Sequence, residues 1–177
     1  MSEYEFTLRF DSSQVAAAID DCVESLGAGG CDDATIGVGI PGRLALMFAR
    51  ESASAEDAVM TALRDVETAL PHAVLVEATP DFVGITEVAE IVGKTRQNIR
   101  KLLLGCSAGT PLPIHEGSSS IWHLAPVLEW LRDDKQYLID PALIDLAETN
   151  MQLNAATTRI PVSRRILSDV ESYLAEA

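Results

Sequence analysis

The sequence has few of the residues and motifs that mark several common protein classes. Its 177 residues include three cysteines, an odd number without the close paired spacing of zinc or redox motifs. No apolar run approaches the length of a membrane span, and the first residues lack the pattern of a signal peptide. Phosphate-binding and dinucleotide-binding glycine motifs are missing, and no nucleophile stands in a recognisable arrangement with a base. These absences predict a cytoplasmic protein that is not an enzyme and needs no metal or cofactor.

Positive charge is also scarce. Thirteen lysines and arginines face 27 aspartates and glutamates, which gives a formal net charge of -14. The net charge is -10 for residues 1–80, -1 for residues 81–135 and -3 for residues 136–177. Four cations stand between Lys94 and Lys101 without an acidic residue among them. Such a local reversal of sign suits a surface that meets phosphate, whereas the acidic first half would repel nucleic acid.

The segment from Ile85 to Leu104 predicts two short helices joined by a tight turn. Thr86 is the expected cap of the first helix, and Thr95 is the expected cap of the second. Gly93 supplies the left-handed backbone conformation that reverses the chain between them. The residues expected on the inner faces are apolar at helical spacing: Val88, Ala89, Val92, Ile99, Leu102 and Leu103. The pattern therefore favours a helix-turn-helix.

The outer face of the second predicted helix carries cationic and amide side chains. They are Arg96, Gln97, Arg100 and Lys101, with Asn98 beside them and Lys94 and Thr95 at the turn. Arginine, glutamine and asparagine can form paired hydrogen bonds with the edges of guanine or adenine. We expect Arg96, Gln97 and Arg100 to read bases. Lys94, Thr95 and Lys101 would hold phosphates, and Asn98 would take either role. The alternative is a two-helix hairpin whose basic face is merely solvated.

The residues that follow predict a short hairpin from Pro111 to Trp122 and a further helix from Leu124 to Leu131. Such a hairpin would form a wing. It carries no lysine or arginine, so Ser118 and Ser119 are the expected phosphate contacts. Both tryptophans are assigned to the core.

This order of elements resembles the excisionase-like and MerR-like winged helix-turn-helix families over roughly residues 82 to 134. The resemblance rests on Ala89 where the helices would cross, Gly93 four residues later and Ile99 ten residues after Ala89. Residues 118–131 are similar to the wing strand and the Val-Glu-x-Trp-Leu helix of those families. The resemblance implies a DNA-binding domain at residues 82–135.

Residues 1–79 predict the order strand, helix, strand, strand, helix, strand. The first strand alternates apolar and polar residues from Tyr4 to Phe10, and its helix is expected to begin with a cap at Asp11, Ser12 or Ser13. The second strand is expected at residues 34–40. This βαββαβ order predicts a ferredoxin-like sandwich. Because that fold serves many functions, the acidic domain is interpreted only as a sensor of a small molecule or a binding site for a protein.

Residues 136–177 predict two C-terminal helices, at about 141–156 and 163–175. Their apolar faces would pack against their own chain or against a second copy. We expect a homodimer, because two linked recognition helices can read two half-sites.

The sequence therefore predicts an α+β protein that binds double-stranded DNA and does not enter a membrane. A bacterial transcriptional regulator is the favoured interpretation. The alternatives are an excisionase-like architectural factor that bends DNA, and an antitoxin or protein-interaction module with autoregulatory DNA binding. The operator and the direction of regulation are not encoded in any recognisable pattern.

Overall fold

A computed structural model describes residues 1–15, 18–37, 39–105 and 109–157, together with positions 166, 170, 172, 173 and 175. The protein is a mixed α+β chain. Its elements are β1 (Ser2–Asp11), α1 (Ile19–Ala28), β2 (Ala34–Gly37), β3 (Arg43–Ser52), α2 (Ala55–Ala69), β4 (Val74–Thr79), β5 (Phe82–Val83), α3 (Ile85–Ile91), α4 (Arg96–Leu103), β6 (Trp122–His123), α5 (Leu124–Asp133) and α6 (Pro141–Thr157).

The first four strands form one antiparallel sheet in the order β2-β3-β1-β4. Its buried face carries alternate residues of β1, as the sequence predicted: Tyr4, Phe6, Leu8 and Phe10. Phe6 lies opposite Phe48 of β3, and their rings stack with centroids 5.2 Å apart. Helices α1 and α2 complete the same core, since Leu26 and Val66 are fully buried in it. The first hydrophobic core therefore lies between the two helices and one face of the sheet.

The beginning of α1 differs from the prediction. The helix begins at Ile19, and none of the three polar residues after the first strand caps it. Asp11 is still paired with Arg43 in the sheet, and its carboxylate accepts a hydrogen bond from the Ser13 amide at 2.9 Å. This bond lowers the pKa of Asp11. The predicted cap was wrong because these polar groups form a turn instead.

The second strand is shorter than predicted. β2 ends at Gly37 rather than continuing to Ile40. The backbone amide of Arg43 donates to the Ile40 carbonyl at 3.0 Å, and Gly42 has a positive φ of 76°. Ile40 therefore belongs to the turn that leads into β3, where its carbonyl is used in turn closure.

A second hydrophobic core is formed by β5, β6 and helices α3 to α5. Trp122 and Trp130 are both buried in it, which confirms their assignment to the core. Helix α6 lies between the two cores. Leu146 packs into the first core, whereas Ile144 and Ala147 pack into the second. The first C-terminal helix therefore buries its apolar residues against its own chain. The second predicted helix, residues 163–175, lies outside the described residues except at isolated positions.

Candidate nucleic-acid interface

Helix α3 begins two residues earlier than the sequence predicted. Gly84 is its N-cap, and the Glu87 carboxylate accepts a hydrogen bond from the Gly84 amide at 3.1 Å. Thr86 is inside the helix, so its predicted capping role was wrong. The physical reason is that glutamate at the third helical position satisfies the free amide at the helix start.

The turn between α3 and α4 is closed by backbone hydrogen bonds around Gly93. Gly93 has a positive φ of 62°, as predicted. Its amide donates to the Glu90 carbonyl at 3.2 Å, and the Lys94 amide donates to the Ala89 carbonyl at 2.8 Å. This pair of bonds is a Schellman motif, in which glycine adopts the left-handed conformation without a steric penalty. The turn fixes the direction in which α4 leaves α3.

Helix α4 is anchored at its start and along its inner face. The Thr95 hydroxyl accepts a hydrogen bond from the Asn98 amide at 3.2 Å, which confirms the predicted cap. Ile99 is fully buried and Leu103 nearly so, which confirms the predicted inner face. The side chains predicted to contact DNA are all exposed: Lys94, Thr95, Arg96, Gln97, Asn98, Arg100 and Lys101.

The positive charge at α4 is available for a ligand. None of the ion pairs found among the described residues involves the four cations between Lys94 and Lys101. Tyr137, from the connection between α5 and α6, makes two contacts there. Its hydroxyl donates to Asn98 Oδ1 at 3.0 Å, and Lys94 Nζ lies 5.4 Å from the centre of its ring.

The predicted hairpin between Pro111 and Trp122 has little regular pairing. His115 and Ile121 form an isolated antiparallel bridge, and Ser118 and Ser119 are exposed between them. The strand that follows, β6, pairs with β5. β5 was not predicted from the sequence, because two residues are too few to show a period of alternation.

A buried carboxylate joins β6 to α6, and no sequence pattern predicted a role for this residue. Asp81 is fully buried. Its Oδ1 lies 2.7 Å from His123 Nδ1, and its Oδ2 accepts a hydrogen bond from Asn154 at 2.8 Å. Its backbone carbonyl accepts from the Leu124 amide at 2.8 Å. Asp81 therefore holds together the first turn of α5, the end of β6 and the end of α6.

A half-buried arginine, Arg50 near the end of β3, connects the loop after α1 to α2. Arg50 binds Asp33 at 2.6 Å and Asp65 at 2.8 Å, and it also donates to the Gly30 carbonyl at 3.0 Å. These carboxylates raise the pKa of Arg50. Burial raises the pKa of the neighbouring Cys31 thiol to about 11. The carboxylates of Asp33 and Asp65 are thus paired with Arg50. The raised pKa keeps the Cys31 thiol neutral.

An open cleft of about 760 Å³ separates the uncovered face of the sheet from α3. Its walls include Glu5 and Met47 from the sheet, Phe82 from β5 and Glu90 from α3. Phe82 and Met47 are both partly exposed there. A ligand in this cleft would touch both the sheet and α3.

Two further classes of site were not found in the part of the chain that the structure describes. No group of three or more histidine, cysteine, aspartate or glutamate side chains is arranged to hold a metal ion there. Among the same residues, no helix combines the length and apolar character needed to cross a membrane.

Comparisons with known proteins do not assign the chain to a family. No protein-family model matches it, and neither the curated proteins nor the solved structures gave a match.

Proposed function

We propose that the protein binds DNA sequence-specifically, with α4 as the recognition helix, and acts as a bacterial transcriptional regulator. The observation that carries this proposal is the exposed face of α4, where four cations without ion-pair partners among the described residues stand on an acidic chain. Unneutralised cations on a helix surface are suited to phosphate, and the amides between them are suited to base edges.

We also propose a fold for each of two parts of the chain. Residues 82–135 would form a winged helix-turn-helix, and residues 1–79 a ferredoxin-like sandwich. The Schellman turn at Gly93 and the cap at Thr95 support the first assignment. The βαββαβ order and the strand order β2-β3-β1-β4 support the second. Because a fold alone does not define a function, the assignment to DNA rests on α4.

Within this interface the residues take different roles. Arg96, Gln97 and Arg100 would contact base edges in the major groove, where bidentate hydrogen bonds discriminate between base pairs. Lys94 and Lys101 would neutralise phosphates. Thr95, Ser118 and Ser119 offer hydroxyl groups to the DNA backbone and set the register of the protein on the duplex.

A homodimer in the cytoplasm is the proposed working form. A single α4 presents few base contacts, and the wing contributes no lysine or arginine. Two copies would place two recognition helices on half-sites separated by about 34 Å, one turn of the double helix. Linking two weak contacts in this way strengthens both affinity and specificity.

Residues 1–79 would supply the regulatory signal by binding a small molecule or a protein. The cleft between the sheet and α3 supports this role, because its occupant would contact residues 1–79 and the proposed DNA-binding domain at once. Its carboxylates, including Glu5 and Glu90, and its exposed apolar groups favour an occupant that is cationic and partly apolar.

A second candidate function is that of an architectural factor that bends DNA. Leu112 stands between Pro111 and Pro113 at the start of the proposed wing, and 88% of its surface is exposed. Proteins that kink DNA insert apolar side chains of this kind between base steps. Strong bending of a bound duplex, lost in Leu112→Ala, would favour this candidate over simple promoter binding.

Selection from a pool of randomised duplex DNA tests the main proposal. The full-length protein should enrich one sequence, and its affinity for that duplex should fall steeply between about 50 and 200 mM salt. The matched control is a variant with Arg96, Arg100 and Lys101 replaced by alanine, which should fold but enrich nothing. Failure of the wild-type protein to bind any duplex, at low salt as well, would refute the proposal.

A further inference from the structure

We infer that Tyr137, which lies outside the helix-turn-helix, determines how Asn98 reads DNA. This inference rests on the proposed role of α4 and specifies the chemistry of one of its positions. Asn98 is the amide whose role the sequence leaves open, since its side chain can either donate or accept hydrogen bonds.

The position of Tyr137 is set by the connection between α5 and α6. Its backbone amide donates to the Leu131 carbonyl at 2.9 Å, and its side chain is half-buried. The preceding residue, Gln136, has a positive φ of 56°, and its side chain donates to the Asp133 carbonyl at 2.6 Å. These contacts hold the connection against the end of α5. Tyr137 is therefore presented to α4 by the fold.

The hydrogen bond from Tyr137 constrains which groups Asn98 can offer. The Tyr137 hydroxyl donates to Asn98 Oδ1, while the backbone of Asn98 is fixed by its bond to Thr95. With the oxygen engaged by Tyr137, the two hydrogens on Nδ2 remain for another partner. Asn98 thus presents donors, which match acceptors such as guanine O6 and N7, adenine N7, thymine O4 or a phosphate oxygen.

Without the tyrosine hydroxyl the amide could rotate by half a turn. One orientation would place the donor Nδ2 toward the DNA, and the other would place the acceptor Oδ1 at the same position. Base edges that offer an acceptor and base edges that offer a donor would then be bound equally well. Tyr137 is in this sense a positioning residue for specificity. It need not touch the DNA.

The ring of Tyr137 has a second and separable effect. Lys94 Nζ lies over it at 5.4 Å, within the range of a cation–π contact. This contact holds the ammonium group beside the first turn of α4, where a phosphate would be bound. The hydroxyl of one residue therefore orients Asn98, and the ring of the same residue orients Lys94.

Three variants of the full chain separate these effects. The affinity of each is measured for the duplex that the wild-type protein selects and for the same duplex changed at each base pair in turn. Tyr137→Phe keeps the ring and removes only the hydroxyl. It should weaken binding by about two- to tenfold and flatten the preference at one base pair. In an Asn98→Ala background the same change should have no further effect. Tyr137→Leu should in addition lower the slope of log affinity against log salt by about one, and Lys94→Ala should have the same effect on the slope.

A measurement without DNA gives an independent readout. The side-chain amide of Asn98 should give shifted nitrogen and proton resonances in Tyr137→Phe, whose melting temperature reports whether folding is intact. Unchanged resonances, or wild-type base preference in Tyr137→Phe, would overturn the inference and leave DNA binding by α4 in place. If the wild-type protein selects no duplex, both the inference and the proposed function are refuted.

Discussion

Asn154 donates a hydrogen bond from Nδ2 to the buried carboxylate of Asp81 at 2.8 Å. The same side chain pairs with the backbone of Ala78, whose amide donates to Oδ1 at 2.7 Å and whose carbonyl accepts from Nδ2 at 2.8 Å. Asn154 thereby acts as a strand partner for the edge of β4. It also supplies one of the donors that compensate the burial of Asp81.

Replacing Asn154 by alanine should therefore destabilise the whole protein. The change removes the Asn154 partner from three buried groups, which are the amide and the carbonyl of Ala78 and one oxygen of Asp81. Each loss of this kind costs about 1 to 3 kcal/mol. We expect the free energy of unfolding in urea to fall by about 3 to 5 kcal/mol, near the lower end of the sum of these losses. Gln152→Ala is the matched control on the exposed side of α6, with an expected change within about 0.5 kcal/mol. Equal effects of the two variants would show that the junction does not depend on Asn154.

The same junction shows why part of the structure could not be predicted. Asp81 follows a proline in a short polar stretch, and nothing local distinguishes it from a solvated linker residue. Its burial depends on His123 and Asn154, which lie 42 and 73 residues away in sequence. Contacts over such distances are set by tertiary packing, which one sequence read for local patterns does not reveal.

The parts that could be predicted have local causes. Gly93 marks the turn because few other residues adopt its backbone conformation, and Thr95 marks the start of α4 because its hydroxyl reaches the amide of Asn98. The wrong caps at Asp11 and Thr86 have a local cause as well. In each case a neighbouring polar group offered a competing hydrogen bond that satisfied the backbone differently.

Thr95→Ala should weaken the start of α4. Loss of the cap costs about 1 kcal/mol, because one amide at the helix start then lacks an intramolecular partner. Thermal unfolding followed by circular dichroism should show the decrease. Thr95→Ser keeps a hydroxyl at the same position and should retain most of the stability. A serine variant as unstable as the alanine variant would indicate that the methyl group of Thr95, rather than its hydroxyl, matters.

Cys31 should react slowly with thiol reagents in the folded protein. Its pKa is raised to about 11 by burial, so the neutral thiol is favoured in the folded state. At about pH 8 the thiolate fraction should be roughly 100-fold lower than that of an ordinary cysteine, since only the thiolate is the nucleophile. Peptide mass mapping after brief alkylation should find Cys31 unmodified until urea is added.

The raised pKa also predicts how stability changes in alkaline solution. The unfolded chain loses the Cys31 proton at its ordinary pKa near 9, whereas the folded protein retains it to about 11. The stabilisation from the neutral thiol is complete below about pH 9 and is lost as the pH rises toward 11. Cys31→Ala should show a shallower decline of unfolding free energy over this window. An unchanged pH profile in that variant would assign the alkaline loss of stability to other groups.

Arg96→Ala and Lys101→Ala should weaken DNA binding in two different ways. If Arg96 reads a base edge, its loss should cost about 1 to 3 kcal/mol on the selected duplex and little on unrelated DNA. If Lys101 neutralises a phosphate, its loss should weaken all sequences alike and lower the salt slope by about one. Gel mobility shifts at two salt concentrations, with the selected duplex and a scrambled one, separate the two patterns.

Arg132→Ala is the matched control for this comparison. Arg132 is an exposed cation in the last turn of α5, and its guanidinium is paired with Asp133 at 2.6 Å. A paired surface cation away from α4 should contribute little, so this variant should bind as the wild type does. Each substitution removes one positive charge from the same chain. A difference in affinity between Arg132→Ala and Lys101→Ala therefore reports the effect of where the charge lies, and not the effect of net charge. An equal loss of affinity in both would mean that net charge, and not the face of α4, governs binding.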